Sequence, residues 1–470
     1  MKYDFESAAA AYQDAMVSDL SSLITIDSER DTDHATDTAP LGPGPAMALN
    51  SVIAMAERDG FTSKNVENVA ARIELGSGSE ILGVLGHVDV VPAGDGWVRP
   101  PFTPTIEGDR IYGRGTADDK GPVIAAYYAL RILRDLNVPL SKQVHLILGT
   151  DEESEWYGMH RYMATQPVPD FGFSPDAEFP IINGEKGIVS FLLTQKHVAA
   201  APAAITLLHF RAGIRPNMVP GRATAELQGE LPDYLEAQLQ AYAKVNHLQA
   251  EWQQNGQKTT LTMIGKGAHA MNPGAGKNAA TYLADFLSGC ALDLDPAGSL
   301  YLYTIAHYLH LKTAGEGLGI NYSDRKMGPL TAAADIFEFS QDGKQSVLIN
   351  VRYPQGTSAD LIRDQIETAV GEDNYAVSID GEDETPHYVP DSDPLVQTLL
   401  DVYSEHTGLP GKEGIVGGGT YGRMLKRGVA FGAQMPGAPD IMHQADEYIE
   451  IKTIVRAAAI YADAISRLAN

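Results

Sequence analysis

The sequence predicts an α/β fold in more than one domain, and three observations carry that reading. Apolar strands alternate with helices through the first third of the chain, the pattern of an α/β sheet. His87 and the pair Glu152-Glu153 stand just past the ends of such strands, where ligands gather in these sheets. The length, 470 residues, exceeds one core, because cores stop growing at about 250–300 residues.

The elements follow in order. Ala8, Tyr12, Met16, Leu20 and Ile24 recur at helical spacing and predict a helix over 7–26. Asp27, Glu29, Asp31, Asp33 and Asp37 then read as a solvated acidic loop over 27–37, and a second helix follows at 44–59. Two strands, 70–75 and 81–85, flank the turn Gly76-Ser77-Gly78-Ser79. An Ala-rich helix over 121–136 opens after Gly121-Pro122, with proline in the first turn that tolerates it. A strand over 143–148 runs into Thr150-Asp151-Glu152-Glu153. From Lys186 the strands become amphipathic, at 189–196, 204–212, 223–227 and 259–264, with helices at 233–248 and 277–288. A similar set follows, with strands at 301–311, 332–340 and 345–352 and a helix at 358–370. These are two successive α+β units. Residues 372–393, rich in Asp and Glu, read as a loop-like linker back into another domain. A helix at 394–406, the run Gly417-Gly418-Gly419 and a helix at 451–468 complete the chain.

Composition narrows the function. Hydrophobic residues at 44% and charged residues at 20% exclude a largely disordered chain. A net charge of −26 repels phosphate backbones and anionic lipid, so neither nucleic acid nor membrane is expected as a partner. The single cysteine, Cys290, excludes an internal disulfide and any cysteine-cluster metal site. The first residues carry no apolar signal segment, and no apolar run is long enough to span a bilayer, so a cytoplasmic location is expected.

Five residues carry candidate chemistry: His87, Asp118, Glu153, Asp176 and His443. Each follows an apolar segment, and each is a ligand type for zinc, cobalt or manganese. Taken singly, each is more simply a structural histidine, a solvated turn or a surface acid, and only their joint context points to metal. In Gly86-His87-Val88-Asp89 the acid two residues on shares a side of an extended chain with His87, so it can hold the second ring nitrogen, as metal-binding imidazoles require. In Gly113-Arg114-Gly115-Thr116-Ala117-Asp118-Asp119-Lys120-Gly121, glycines flank two carboxylates at a helix start, and one carboxylate can bridge two ions. In Asp151-Glu152-Glu153 one acid can bind metal while its neighbour accepts a proton from water.

Together these motifs resemble the dinuclear-zinc peptidases and amidohydrolases that include carboxypeptidase G, aminoacylase, succinyl-diaminopimelate desuccinylase and carnosinase. The resemblance is strongest to the bacterial broad-specificity dipeptidase V branch. The spacings agree: 31 residues from His87 to Asp118, 35 on to Glu153 and 23 on to Asp176. The resemblance covers almost the whole chain and implies these roles. His87 and Asp176 bind one zinc, Glu153 and His443 the other, and Asp118 bridges both. Glu152 is the general base, and Asp89 is the partner of His87. Asp119 fills the free position beside the bridging ligand, often joined to it by a cis peptide. Glu178 is a rival to Asp176, but the family places the ligand just after the strand. Aspartate there leans toward aminopeptidase and dipeptidase members. His443, followed by Glu447, matches the family's last ligand motif.

The resemblance further implies a central mixed sheet flanked by helices, interrupted by an inserted α+β lid. The step of 267 positions from Asp176 to His443 leaves room for it. The expected division is a discontinuous catalytic domain over 1–185 and 384–470 and a lid over 186–383. Dimeric relatives have about half as much lid, one α+β unit that pairs across a two-fold axis. Two units in one chain imply a pseudo-dimeric lid and a monomer. Within the lid, His269 matches the histidine that stabilises the oxyanion, Asn217 a substrate contact and Arg352 a clamp for a C-terminal carboxylate. Gly419 and Thr420 would meet substrate from the glycine loop. The expected reaction is hydrolysis of dipeptides with a free amino terminus, using two Zn2+, with Co2+ or Mn2+ as substitutes. The alternatives are an N-acyl or N-succinyl amino acid amidohydrolase of the same family, or a non-catalytic metal- or peptide-binding protein. A dehydrogenase lacks its Gly-x-Gly-x-x-Gly, and a serine hydrolase lacks its Gly-x-Ser-x-Gly.

Overall fold

The computed structural model describes residues 3–439 and 441–470. The chain forms two compact units. The first comprises Met1–Gly184, Tyr388–Ile415 and Gly419–Asn470, and the second comprises Glu185–His387 and Val416–Gly418.

The first unit is built on a six-stranded mixed sheet. Its order is Thr62–Val66, Ala70–Gly76, Gln143–Gly149, Ile81–His87, Phe171–Ser174 and Gly428–Ala430. The first two pairings are antiparallel and the last three parallel. The strands at 70–76 and 81–87 flank the expected turn but do not pair, because 143–149 lies between them. Residues 81–87 and 143–149 are buried almost throughout, as strands covered on both faces must be. Helix Lys120–Asp135 packs along Ile451–Leu468, and both bury alanine-rich surfaces in one core with Tyr127, Tyr128 and Tyr461. Small side chains let the two helices approach closely.

The second unit contains one antiparallel sheet of eight strands. Its order is Gln249–Asn255, Lys258–Ile264, Arg222–Gln228, Thr206–Ala212, Thr331–Ser340, Gln345–Tyr353, Gly187–Gln195 and Tyr375–Glu384. The halves mirror each other. In each, a hairpin leads through a helix (Leu235–Val245 or Ala359–Val370) to an edge strand, leaving room for one strand between. They join where Phe210 pairs with Phe339.

Several expectations need correction. The first helix breaks at Tyr12 into Phe5–Ala11 and Gln13–Ile24. Residues 28–30 are not simply a solvated loop. The buried Ser28 hydroxyl donates to the Val88 carbonyl at 2.7 Å, and Glu29 Oε1 accepts from Ala93 N at 2.7 Å. The segment 301–311 is helical, not a strand: Pro296–Thr304 continues as a turn of π-helix over Ile305–Leu309. Asp295 caps it by accepting from Gly298 N at 2.8 Å, and Pro296 fills the first-turn position. The acidic 372–393 segment is not a linker throughout, since Tyr375–Glu384 forms an edge strand that buries Tyr375 and Val377 on alternate positions. Gln249–Asn255 is a further strand. No described helix is long and apolar enough to cross a membrane.

Candidate metal centre

Three parallel strands of the first unit deliver side chains at their carboxyl ends. His87 is the last residue of its strand, Glu152 and Glu153 follow Gly149, and Asp176 follows Ser174. Asp118 precedes the helix Lys120–Asp135, and His443 lies in the loop before Tyr448–Glu450. These segments, far apart in sequence, converge on one cluster.

Asp118 lies between the two histidines. Its Oδ1 is 3.1 Å from His87 Nε2 and its Oδ2 is 2.9 Å from His443 Nε2. Glu153 Oε1 lies 2.9 Å from the same His443 nitrogen, and Asp176 Oδ2 lies 3.6 Å from His87 Nε2. Donor atoms of His87, Asp118 and Glu153 lie within 4.8 Å of one another, as do those of His87, Glu152 and Asp176. His87 is fully buried, whereas the His443 side chain is half exposed. His443 adopts φ of +63°, a left-handed conformation that costs an ordinary residue about 1–2 kcal/mol and turns up at functional sites.

Neighbouring groups fix this arrangement. His87 Nδ1 faces Asp89 twice, at 3.1 Å from its backbone carbonyl and 3.4 Å from Oδ1. Asp89 Oδ2 also accepts from Glu153 N at 3.1 Å, so one acid ties together two strand ends. Asp119 does not face the two imidazoles as Asp118 does. The Asp118–Asp119 peptide is cis, and Asp119 Oδ2 accepts the backbone N–H of His87 at 3.1 Å. Gly86 permits this approach, because a Cβ there would meet Asp119 Oδ2 at 2.8 Å.

The electrostatics are those of crowded acids. Burial pushes the Asp176 carboxyl up to about 8, with Asp118 adding to the shift. Burial also raises Glu152 well above the usual range, with Asp176 and Glu153 nearby. Glu153 is raised by burial and by Asp118. Asp118 is the exception: burial opposes its charge, but hydrogen bonds from His443 and His87 hold it below the usual carboxylate range. Burial disfavours the charged His443, yet its bonds to Asp118 and Glu153 raise it to about 11. Four carboxylates and two imidazoles, acting as hard and borderline donors, fit divalent cations, which would relieve that crowding.

The other predicted residues divide between the units. Asn217, His269 and Arg352 belong to the second. Met218 pairs with His269 in a short two-stranded ladder, and the Asn217 carbonyl accepts from Ala270 N at 2.9 Å. His269 Nδ1 accepts from Met271 N at 3.1 Å. Arg352 is buried, donating from Nε to Asn350 Oδ1 at 2.8 Å and from Nη1 to the Gly417 carbonyl at 2.9 Å. Gly419 and Thr420 belong to the first unit, where Thr420 caps a short 3-10 helix by accepting from Gly422 N at 3.1 Å. Two pairings in the first unit are invisible to sequence reasoning, although Glu447 itself lies in the last ligand motif. Arg30, from the acidic loop, lies 3.3 Å from Asp151, the neighbour of Glu152. Glu447 accepts a cluster of N–H groups around Asp118. Both are long-range partnerships that no local pattern announces.

Fold and site together place a cluster of acids and histidines that could hold metal at the carboxyl ends of parallel strands. The sequence profile of peptidase family M20/M25/M40 matches residues 83–467, and the chain belongs to that family. It is 42% identical over 472 residues to the beta-Ala-Xaa dipeptidase of Lactobacillus delbrueckii subsp. lactis, covering 100% of this chain and 99% of that protein. Human carnosine dipeptidase 1 shares the fold with a TM-score of 0.54 at 15% identity, covering 99% of each chain. The aminoacylhistidine dipeptidase of Vibrio alginolyticus does so with 0.55 at 14% identity, covering 97% of each.

Proposed function

We propose that the chain is a dinuclear-metal dipeptidase that hydrolyses dipeptides with a free amino terminus, with two Zn2+ as resident ions and Co2+ or Mn2+ as substitutes. The observation that carries this is Asp118, whose two oxygens each approach a different imidazole, 3.1 Å from His87 and 2.9 Å from His443. One carboxylate placed between two N/O half-sites suits a bridging ligand. End-to-end similarity to the beta-Ala-Xaa dipeptidase supports the substrate class.

His87 and Asp176 would hold one ion, Glu153 and His443 the other, and Asp118 both. Bound there, the ions supply Lewis acidity and bring the pKa of water toward 7. Glu152 takes the proton of the attacking water and returns it to the leaving amine. Asp89 keeps the His87 ring oriented through Nδ1. In the second unit, His269 donates to the developing oxyanion, Asn217 contacts the peptide and Arg352 pairs with the terminal carboxylate. Gly419 and Thr420 contribute contacts from the glycine loop. We assign catalysis to residues 1–185 and 384–470 and substrate enclosure to 186–383. The protein acts as a monomer in the cytoplasm, a reducing compartment that suits a chain with one cysteine.

The test is to strip the protein of metal, reload it with zinc and compare dipeptides of the Ala-Ala type with N-acetyl amino acids. A kcat/KM at least tenfold higher for dipeptides is expected. Preference for the N-acetyl compounds would make it an amidohydrolase. Two bound ions with no hydrolysis of either would make it a binding protein.

A further inference from the structure

Glu447 lies four residues after His443 and is fully buried. Its Oε1 accepts from Ala117 N at 2.7 Å and Asp118 N at 3.2 Å. Its Oε2 accepts from Gly115 N at 3.0 Å and from Arg114 Nη1 at 2.7 Å. The Glu447 carbonyl accepts from Gly113 N at 3.0 Å. The segment 113–118 therefore curls around a single acid. Gly115 makes the curl at φ of +86°, a conformation that glycine adopts without strain.

The same acid belongs to the loop that carries His443. Arg114 Nη1 also reaches the Gln444 carbonyl at 3.3 Å, and Asp446 Oδ1 accepts from Val98 N and Arg99 N at 3.1 and 3.0 Å. The peptide bearing Asp118 and the loop bearing His443, more than 300 residues apart, thus meet at one carboxylate. Asp118 and His443 are then 2.9 Å apart at their own side chains.

We propose that Glu447 is a positioning residue for both metal half-sites at once, because its carboxylate fixes the Asp118 peptide and the His443 loop in one hydrogen-bonded cage. This rests on the metal-site reading above. A carboxylate is needed because four N–H groups converge on it. A glutamine would turn its own N–H2 toward some of those donors. Arg114 would keep three carbonyl acceptors, those of Pro92, Ala93 and Gln444, each at 3.3 Å, so the fold can survive the change.

The experiment titrates metal-free wild type and Glu447→Gln with Zn2+ against a chromophoric chelator, with near-ultraviolet circular dichroism to confirm that the chain is folded. Wild type should bind two ions. In Glu447→Gln both affinities should fall by about 10–100-fold, the usual cost of losing a partner that orients ligands. His443→Ala, by contrast, should weaken one ion far more than the other. Unchanged affinities in a folded Glu447→Gln, or the loss of one ion alone, would overturn the proposal. A purely structural role would lower the denaturant midpoint of the metal-free chain without weakening zinc binding. If Glu447→Gln fails to fold, Glu447→Asp keeps the charge but shortens its reach, and either both affinities fall or the proposal fails. Wild type that binds no zinc would remove the metal-site reading itself, and this inference with it.

Discussion

Glu152 stands beside Asp176 and His87, and the function proposed above gives it the proton transfer. Glu152→Gln should retain both ions by metal analysis while turnover falls about 10²–10⁴-fold, the range for removing a general acid–base group. Persisting turnover would move the base elsewhere. A second residue-scale expectation concerns Asp335, which is fully buried with both oxygens lacking a hydrogen-bond partner. Burial pushes its carboxyl up to about 8, and the Arg352 guanidinium offsets only part of that. A carboxyl whose folded value lies above its unfolded value of about 3.9 contributes stability that is full below pH ~4 and is lost as pH rises through 8. Asp335→Asn removes that loss. Its stability relative to wild type should grow by a few kcal/mol between pH 4 and 8 and then level off. Denaturant midpoints at pH 5 and pH 9 that shift equally would refute this. That His87, Asp118, Glu152, Glu153, Asp176 and His443 belong together was legible from short motifs, and the structure brings them into one cluster. The pairings of Glu447 with Arg114 and Arg30 with Asp151 were not legible, because a partner more than 100 residues away leaves no local trace.

At the scale of elements, the misreadings share physical causes. The strands Gln249–Asn255 and Tyr375–Glu384 both form edges of the eight-stranded sheet. Edges are protected by polar and charged side chains, here Glu251, Gln253, Asp380 and Glu382. That protection erases the hydrophobic signal by which a strand is found. The aromatic, β-branched run at 301–311 favours a strand by propensity, but the Asp295-Pro296 cap upstream starts a helix whose Tyr301 is buried and donates to the Ser346 carbonyl at 2.8 Å. Caps also yield a prediction. Asn278 accepts from Ala280 N and Thr281 N at 3.1 and 3.3 Å at the start of Ala279–Gly289, and its Nδ2 donates to the Ala334 carbonyl at 2.7 Å. Asn278→Ala should destabilise the second unit by about 2 kcal/mol, about one for the cap and about one for the lost bond. Asn278→Asp keeps the cap acceptor but not the donor, so it should cost less. Denaturant unfolding that ranks the two variants equally would show that the cap is idle.

At the scale of the whole molecule, the second unit determines the expected assembly. Family resemblance implies that members with one α+β unit pair through it across a two-fold axis. In the second unit Thr206–Ala212 meets Thr331–Ser340 in register from His209–Ser340 to Ala212–Phe337, and the proposed monomer takes this seam as the counterpart of that pairing. The sheet ends on the polar edges Gln249–Asn255 and Tyr375–Glu384. Such edges resist edge-to-edge association, and a net charge of −26 adds repulsion between copies at low ionic strength. Light scattering across micromolar concentrations should therefore give a mass near 50.5 kDa. Added salt, which screens the repulsion, separates the two contributions. A mass that doubles only at high salt would show that charge alone keeps the copies apart. A mass that stays single at every ionic strength would locate the cause in the sheet, and a stable dimer at low salt would mean that two sheet halves in one chain do not substitute for a partner.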